Sequence, residues 1–102
     1  MQIEGQVLRM NITINELEQV WQILVDDDEG MTNFYKINEA LSLNQKVKKV
    51  KVKNTYQCPV YYYEYNSVPF VVLCGDFGFE TIISVSKTYK YLQVEDLIRN
   101  IN

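Results

Sequence analysis

From Pro59 to Ser86 the chain reads PVYYYEYNSVPFVVLCGDFGFETIISVS, three runs rich in Val, Ile, Tyr and Phe with short punctuation between them. That pattern specifies a β-meander, and everything else must pack around it. Val60 to Tyr65 is the first run, Val68 to Cys74 the second and Phe79 to Ser86 the third. Asn66-Ser67 has the length of a two-residue hairpin loop, and Asn tolerates the positive φ such a turn demands. Asp76-Phe77-Gly78 suits a three-residue loop closed by a left-handed Gly.

Those loops set a register, and side chains alternate faces along each strand. One face is then predicted to hold Val60, Tyr62, Val71, Leu73, Thr81, Ile83 and Val85, mostly aliphatic and suited to packing under helices. The other holds Tyr61, Tyr63, Tyr65, Phe70, Val72, Ile82, Ser84 and Ser86. Tyrosine offers a large contact area and a polar tip, so Tyr61, Tyr63, Tyr65 and Phe70 are the first candidates for a partner-binding surface.

Upstream, Ile12 to Asp28 fits a helix. Thr13 and Glu16 have capping-box spacing, Ile12 and Leu17 that of a hydrophobic staple, and Ile14, Leu17, Val20, Trp21 and Leu24 form an apolar stripe. Thr32 is placed to cap a second helix from Asn33 to about Leu43, with Phe34, Ile37, Ala40 and Leu41 inward. At the other end, Val94, Leu97, Ile98 and Ile101 mark a C-terminal helix. The expected fold is α+β over residues 1–102 as a single domain. It has an N-terminal αα-hairpin, an antiparallel meander of about four strands and a C-terminal helix, with the helices on one face of the sheet.

Lys46 to Lys53 reads as the fourth strand, with Lys49, Lys51 and Lys53 alternating against Val50 and Val52. Burying a row of lysines under helices is too costly, so this register sets them beside Tyr61 and Tyr63. The net charge is −3, but Asp26, Asp27, Asp28 and Glu29 supply four of the 13 acids, leaving nine against 10 bases elsewhere. The chain is polarised locally, and the acidic loop is a second candidate contact for a partner. It is no calcium loop: counting from Asp26, Met31 stands at the glycine position and Ile37 at the terminal glutamate position.

The chain contains no His, which removes the commonest general base and every Ser-His or Cys-His arrangement. Asp76-Phe77-Gly78 copies the kinase magnesium tripeptide without the remaining kinase motifs. No Gly-rich phosphate loop is present. No cofactor and no catalytic or metal residues are therefore expected. Cys58 and Cys74 fall nearly opposite each other across the Asn66-Ser67 turn. A cross-strand disulfide is geometrically conceivable, but the absence of a signal-like start or a membrane-length apolar run points to a cytoplasmic setting, in which the cysteines would remain buried thiols.

The functional expectation is a small non-catalytic protein-binding module. The fitting class is an inhibitor from a phage or mobile element, of the anti-defence (anti-CRISPR) or toxin-immunity type, and a nucleic-acid-handling enzyme would suit as partner. The alternative is a single-stranded nucleic-acid binder in which Lys49, Lys51 and Lys53 hold phosphates beside sheet aromatics. A homodimer closed through an edge strand or the Tyr face would use the same surfaces.

Overall fold

The computed structural model describes residues 11–26, 31–75 and 80–101, which form a six-stranded antiparallel sheet and two helices. In chain order these are β1 (Ile12–Glu16), β2 (Val20–Asp26), α1 (Thr32–Leu43), β3 (Val47–Lys53), β4 (Val60–Tyr65), β5 (Val68–Cys74), β6 (Glu80–Ser86) and α2 (Leu92–Arg99). The strand order across the sheet is β1-β2-β6-β5-β4-β3. A four-strand meander is thus continued past β6 by a hairpin from the N-terminal part of the chain.

That hairpin replaces the expected αα-hairpin. β1 and β2 pair from Ile12 with Val25 to Glu16 with Trp21, and β2 pairs with β6 along its whole length. Ile23 and Val25, which lie off the helical stripe, are fully buried, whereas Leu17, on it, is 42% exposed. The β-branched residues Ile12, Thr13, Ile14, Val20, Ile23 and Val25 fit a pleated surface, and β6 supplies the neighbour they pack beside. Thr32 is not the cap of α1. The cap position is Met31, left-handed at φ 67°, without a side-chain cap hydrogen bond. In the first turn Asn33 Nδ2 instead donates to the Asp26 carbonyl at 2.7 Å, tying the helix to the end of β2.

The Asn66-Ser67 turn forms as the sequence predicts, with φ 51° and 66° and Tyr65 opposite Val68. The next connection differs. Gly75 N–H donates to the Glu80 carbonyl at 2.8 Å and Cys74 pairs with Thr81, so β6 is shifted by one residue from the register of a three-residue loop. The loop itself lies outside the described residues. A one-residue shift flips every side chain of a strand, and Thr81, Ile83 and Val85 consequently share a face with Tyr63, Phe70 and Val72. This is the buried face. Phe34, Ile37 and Leu41 of α1 and Val94 and Ile98 of α2 close over it with Ile23 and Val25 to form one core. The expected assignment of Val60, Tyr62, Val71 and Leu73 to the helix side is therefore reversed.

The cysteines are not thiols. Cys58 and Cys74 form a disulfide, Cα to Cα 6.4 Å, and the Cys74 N–H points at Cys58 Sγ at 3.2 Å.

Candidate functional site

Tyr63 and Phe70 are 1% and 2% exposed, so neither can serve as a contact residue on this fold. Tyr63 and Phe70 stack with ring centroids 5.5 Å apart, and Tyr61 lies parallel to Tyr63 at 6.1 Å. Phe34 of α1 meets Tyr61 edge-on at 5.9 Å. The Tyr63 hydroxyl donates to Asn38 Oδ1 at 2.7 Å, and Asn38 Nδ2 donates to the Phe34 carbonyl at 3.0 Å. Burial pushes the Tyr63 phenol up to about 12, against the opposing pull of a hydrogen bond with Ser42. Tyr61 and Tyr65 are half-buried and pack against the same core. Tyr61, Tyr63 and Phe70 thus form a stacked column beside α1, whereas Tyr65 only flanks the core. Buried phenols need a partner, and a core Asn supplies it.

Among the described residues, the face of the sheet without a helix over it is the reverse one, called here the open face. Pairing across it defines two rows. Thr13, Leu24, Ile82 and Leu73 form one, over β1, β2, β6 and β5. Asn15, Gln22, Ser84, Val71, Tyr62 and Lys51 form the other, across all six strands. Gln22, Leu24, Val71, Leu73, Ile82 and Tyr62 are half-exposed, and no described element covers them. Asn15 Nδ2 donates to Gln22 Oε1 at 2.9 Å, and the Lys51 ammonium sits 4.7 Å from the Tyr62 ring centroid. Toward the turn end a shallow hollow of about 320 Å³ lies among Val20, Tyr62, Pro69, Val71, Ser84 and Ser86. An apolar centre with polar and cationic margins is the composition of a protein-contact surface.

The lysines divide. β3 carries a bulge between Lys49 and Lys51, which breaks the strict alternation expected of them. Lys49 pairs with Tyr63 on the helix side, whereas Lys48, Lys51 and Lys53 pair with Glu64, Tyr62 and Val60 and join the open face. Of the acidic loop, Asp26 is exposed at the end of β2, and Asp27, Asp28 and Glu29 lie outside the described residues. At the opposite corner of the helix side, Lys87 pairs with Glu16 at 2.6 Å and lies over the Trp21 ring at 4.6 Å. Tyr91 packs against the same Trp ring at 4.8 Å.

Among the described residues no three His, Cys, Asp or Glu side chains come together as a metal site, and no helix is long and apolar enough to cross a membrane. Sequence reasoning turned Tyr62, Val71 and Leu73 toward the helices and put Leu24 on a helical stripe, and so missed all four as residues of this face. The usable signal was Glu64, which shares a strand face with Val60 and Tyr62 and marks that face as the wet one. No protein-family model, curated protein or solved structure matches the chain.

Proposed function

We propose that the chain is a non-catalytic protein-binding module that acts by occupancy, in the manner of an inhibitor or immunity protein, through the open face of its sheet. The observation behind this reading is the partly exposed ladder Leu24–Ile82–Leu73 with Val71 and Tyr62 beside it, on the sheet face away from the two described helices. Aliphatic side chains aligned across a rigid sheet offer a preorganised apolar patch, and Lys48, Lys51 and Lys53 along one margin favour a partner with an acidic rim. Leu73 and Ile82 are directly paired, so one charge at either position disrupts the centre of the patch. A tagged wild-type chain is expected to retain one stoichiometric protein from its source cell, and Leu73→Asp to lose it while keeping the wild-type unfolding midpoint. Equal retention by both chains would refute this surface.

The nucleic-acid reading keeps one supporting observation, Lys51 stacked on Tyr62 with Lys48 and Lys53 on the same face. Tyr62 is the one aromatic residue in the paired rows of that face, and single-strand binders stack successive bases on several rings. Salt-dependent capture of single-stranded DNA by the wild type, lost in Lys48→Glu/Lys51→Glu/Lys53→Glu, would favour this reading over the first.

A further inference from the structure

The two edges of the sheet are not equivalent. β3 carries Lys48, Lys49, Lys51 and Lys53 and a bulge, devices that stop an edge from pairing with another chain. β1, Ile-Thr-Ile-Asn-Glu, has no Lys, no Pro and no break in its register with β2. Among the described strands β2 is its only neighbour. Asp26 N–H donates to the Asn11 carbonyl at 3.1 Å, and Leu17 N–H to the Val20 carbonyl at 3.0 Å. Hydrogen-bonded positions alternate along an antiparallel strand, so Asn11, Thr13, Asn15 and Leu17 turn their backbones toward β2. Ile12, Ile14 and Glu16 turn theirs outward.

We infer that β1 pairs with β1 of a second copy, antiparallel about a two-fold axis through Ile14. Ile14 then faces Ile14 of the second copy, and Ile12 faces Glu16 of the second copy, with the outward N–H and C=O groups exchanging bonds in all three pairs. The strand's own sequence satisfies both faces in this one register, which favours a second copy over an unrelated strand. On the helix side Ile12 and Ile14 are half-buried against the core, and their remaining flanks close on each other. On the open side Thr13 meets Asn15 of the second copy, polar against polar. The Glu16 charge is already matched by Lys87 at 2.6 Å. The two Glu16 residues sit about 14 Å apart along the paired strands, so no like charges meet. The two sheets become one, and their open faces lie side by side, both still available.

Sedimentation equilibrium from micromolar to millimolar chain, with amide exchange of Ile14, tests the pairing. The mass is expected to rise from 12.0 kDa to twice that value, with Ile14 exchange slowing in parallel. Ile14→Pro deletes an outward N–H that the β1–β2 ladder does not use, and should weaken association by about tenfold or more. Ile12→Lys places on β1 the charge that guards β3 and should do the same, which keeps the test decisive if Ile14→Pro does not fold. A wild type that stays monomeric throughout overturns the inference, including one whose edge is taken by another extended chain. So does a dimer that survives both substitutions, or one dissolved by Leu73→Asp on the open face.

Discussion

On β4, Tyr61, Tyr63 and Tyr65 point toward the helices while Val60, Tyr62 and Glu64 point away, and the contrast is sharpest between the neighbours Tyr62 and Tyr63. Tyr63 is enclosed between Tyr61, Phe70 and Asn38, with its hydroxyl satisfied at 2.7 Å. Tyr62, one residue earlier, lies on the half-exposed face under a lysine ammonium. Adjacent residues of the same type therefore belong to different problems, one to stability and one to surface chemistry. An aromatic count along a strand does not distinguish them, because period-2 alternation assigns neighbours to opposite sides.

The largest expected effect separates those two tyrosines. Tyr63→Ala removes a buried ring from a stacked column and leaves Asn38 without its donor, so it should cost roughly 3–5 kcal/mol. Tyr62→Ala, with no enclosing core, should cost about 1 kcal/mol or less. Urea unfolding of both variants measures the gap. Equal losses would show that the faces are not distinct in the way the burial pattern indicates.

How far the sequence discloses this contrast depends on the element. α1, α2 and β3 to β6 are legible because their apolar spacing is bracketed by turn residues, and Asn66-Ser67 sets the β4–β5 pairing on its own. The N-terminal hairpin is disguised because Thr13 and Glu16 imitate a capping box while Ile14, Leu17 and Leu24 imitate a helical stripe. Ile12 and Ile14, then Trp21, Ile23 and Val25, carry the competing period of two. β6, more than fifty residues away in the sequence, decides between the two patterns. Which sheet face is wet is legible in Glu64, a single signal that the run of tyrosines outweighs. The division of the lysines is not legible, since a bulge at Val50 leaves no composition signal. For the candidate site, the sequence locates the right strands and, for β4 and β5, the wrong side of them.

A smaller effect tests whether the helix side is held at its margin by covalent closure. Cys74 shares its face with Thr81 and Phe70, and the disulfide joins it to Cys58, 16 residues away in the chain. A loop of about that length restricts the unfolded chain enough to contribute about 3 kcal/mol. Cys58→Ser/Cys74→Ser should lower stability by that order in urea titrations and leave the open face able to hold its partner. Loss of binding with unchanged stability would reverse the roles of the two faces.

The smallest effect is a titration confined to the buried side. In the folded chain the Tyr63 phenol is raised to about 12, chiefly by burial, whereas an unfolded tyrosine titrates near ~10. The raised group binds its proton more tightly when folded. Its contribution is therefore complete below about pH 10 and is lost as pH rises toward about 12, where the unfolded chain has already released that proton. The gap corresponds to roughly 3 kcal/mol at most. Tyr63→Phe cannot ionise, and by stranding Asn38 Oδ1 it should be about 1 kcal/mol less stable than wild type at neutral pH. Between about pH 10 and 12 the wild type should lose that advantage and fall below the variant. Tyr62→Phe provides the matched control on the open face. If its stability difference from wild type follows the same alkaline course, the titration does not belong to the enclosed phenol, and the asymmetry between neighbouring tyrosines has another origin.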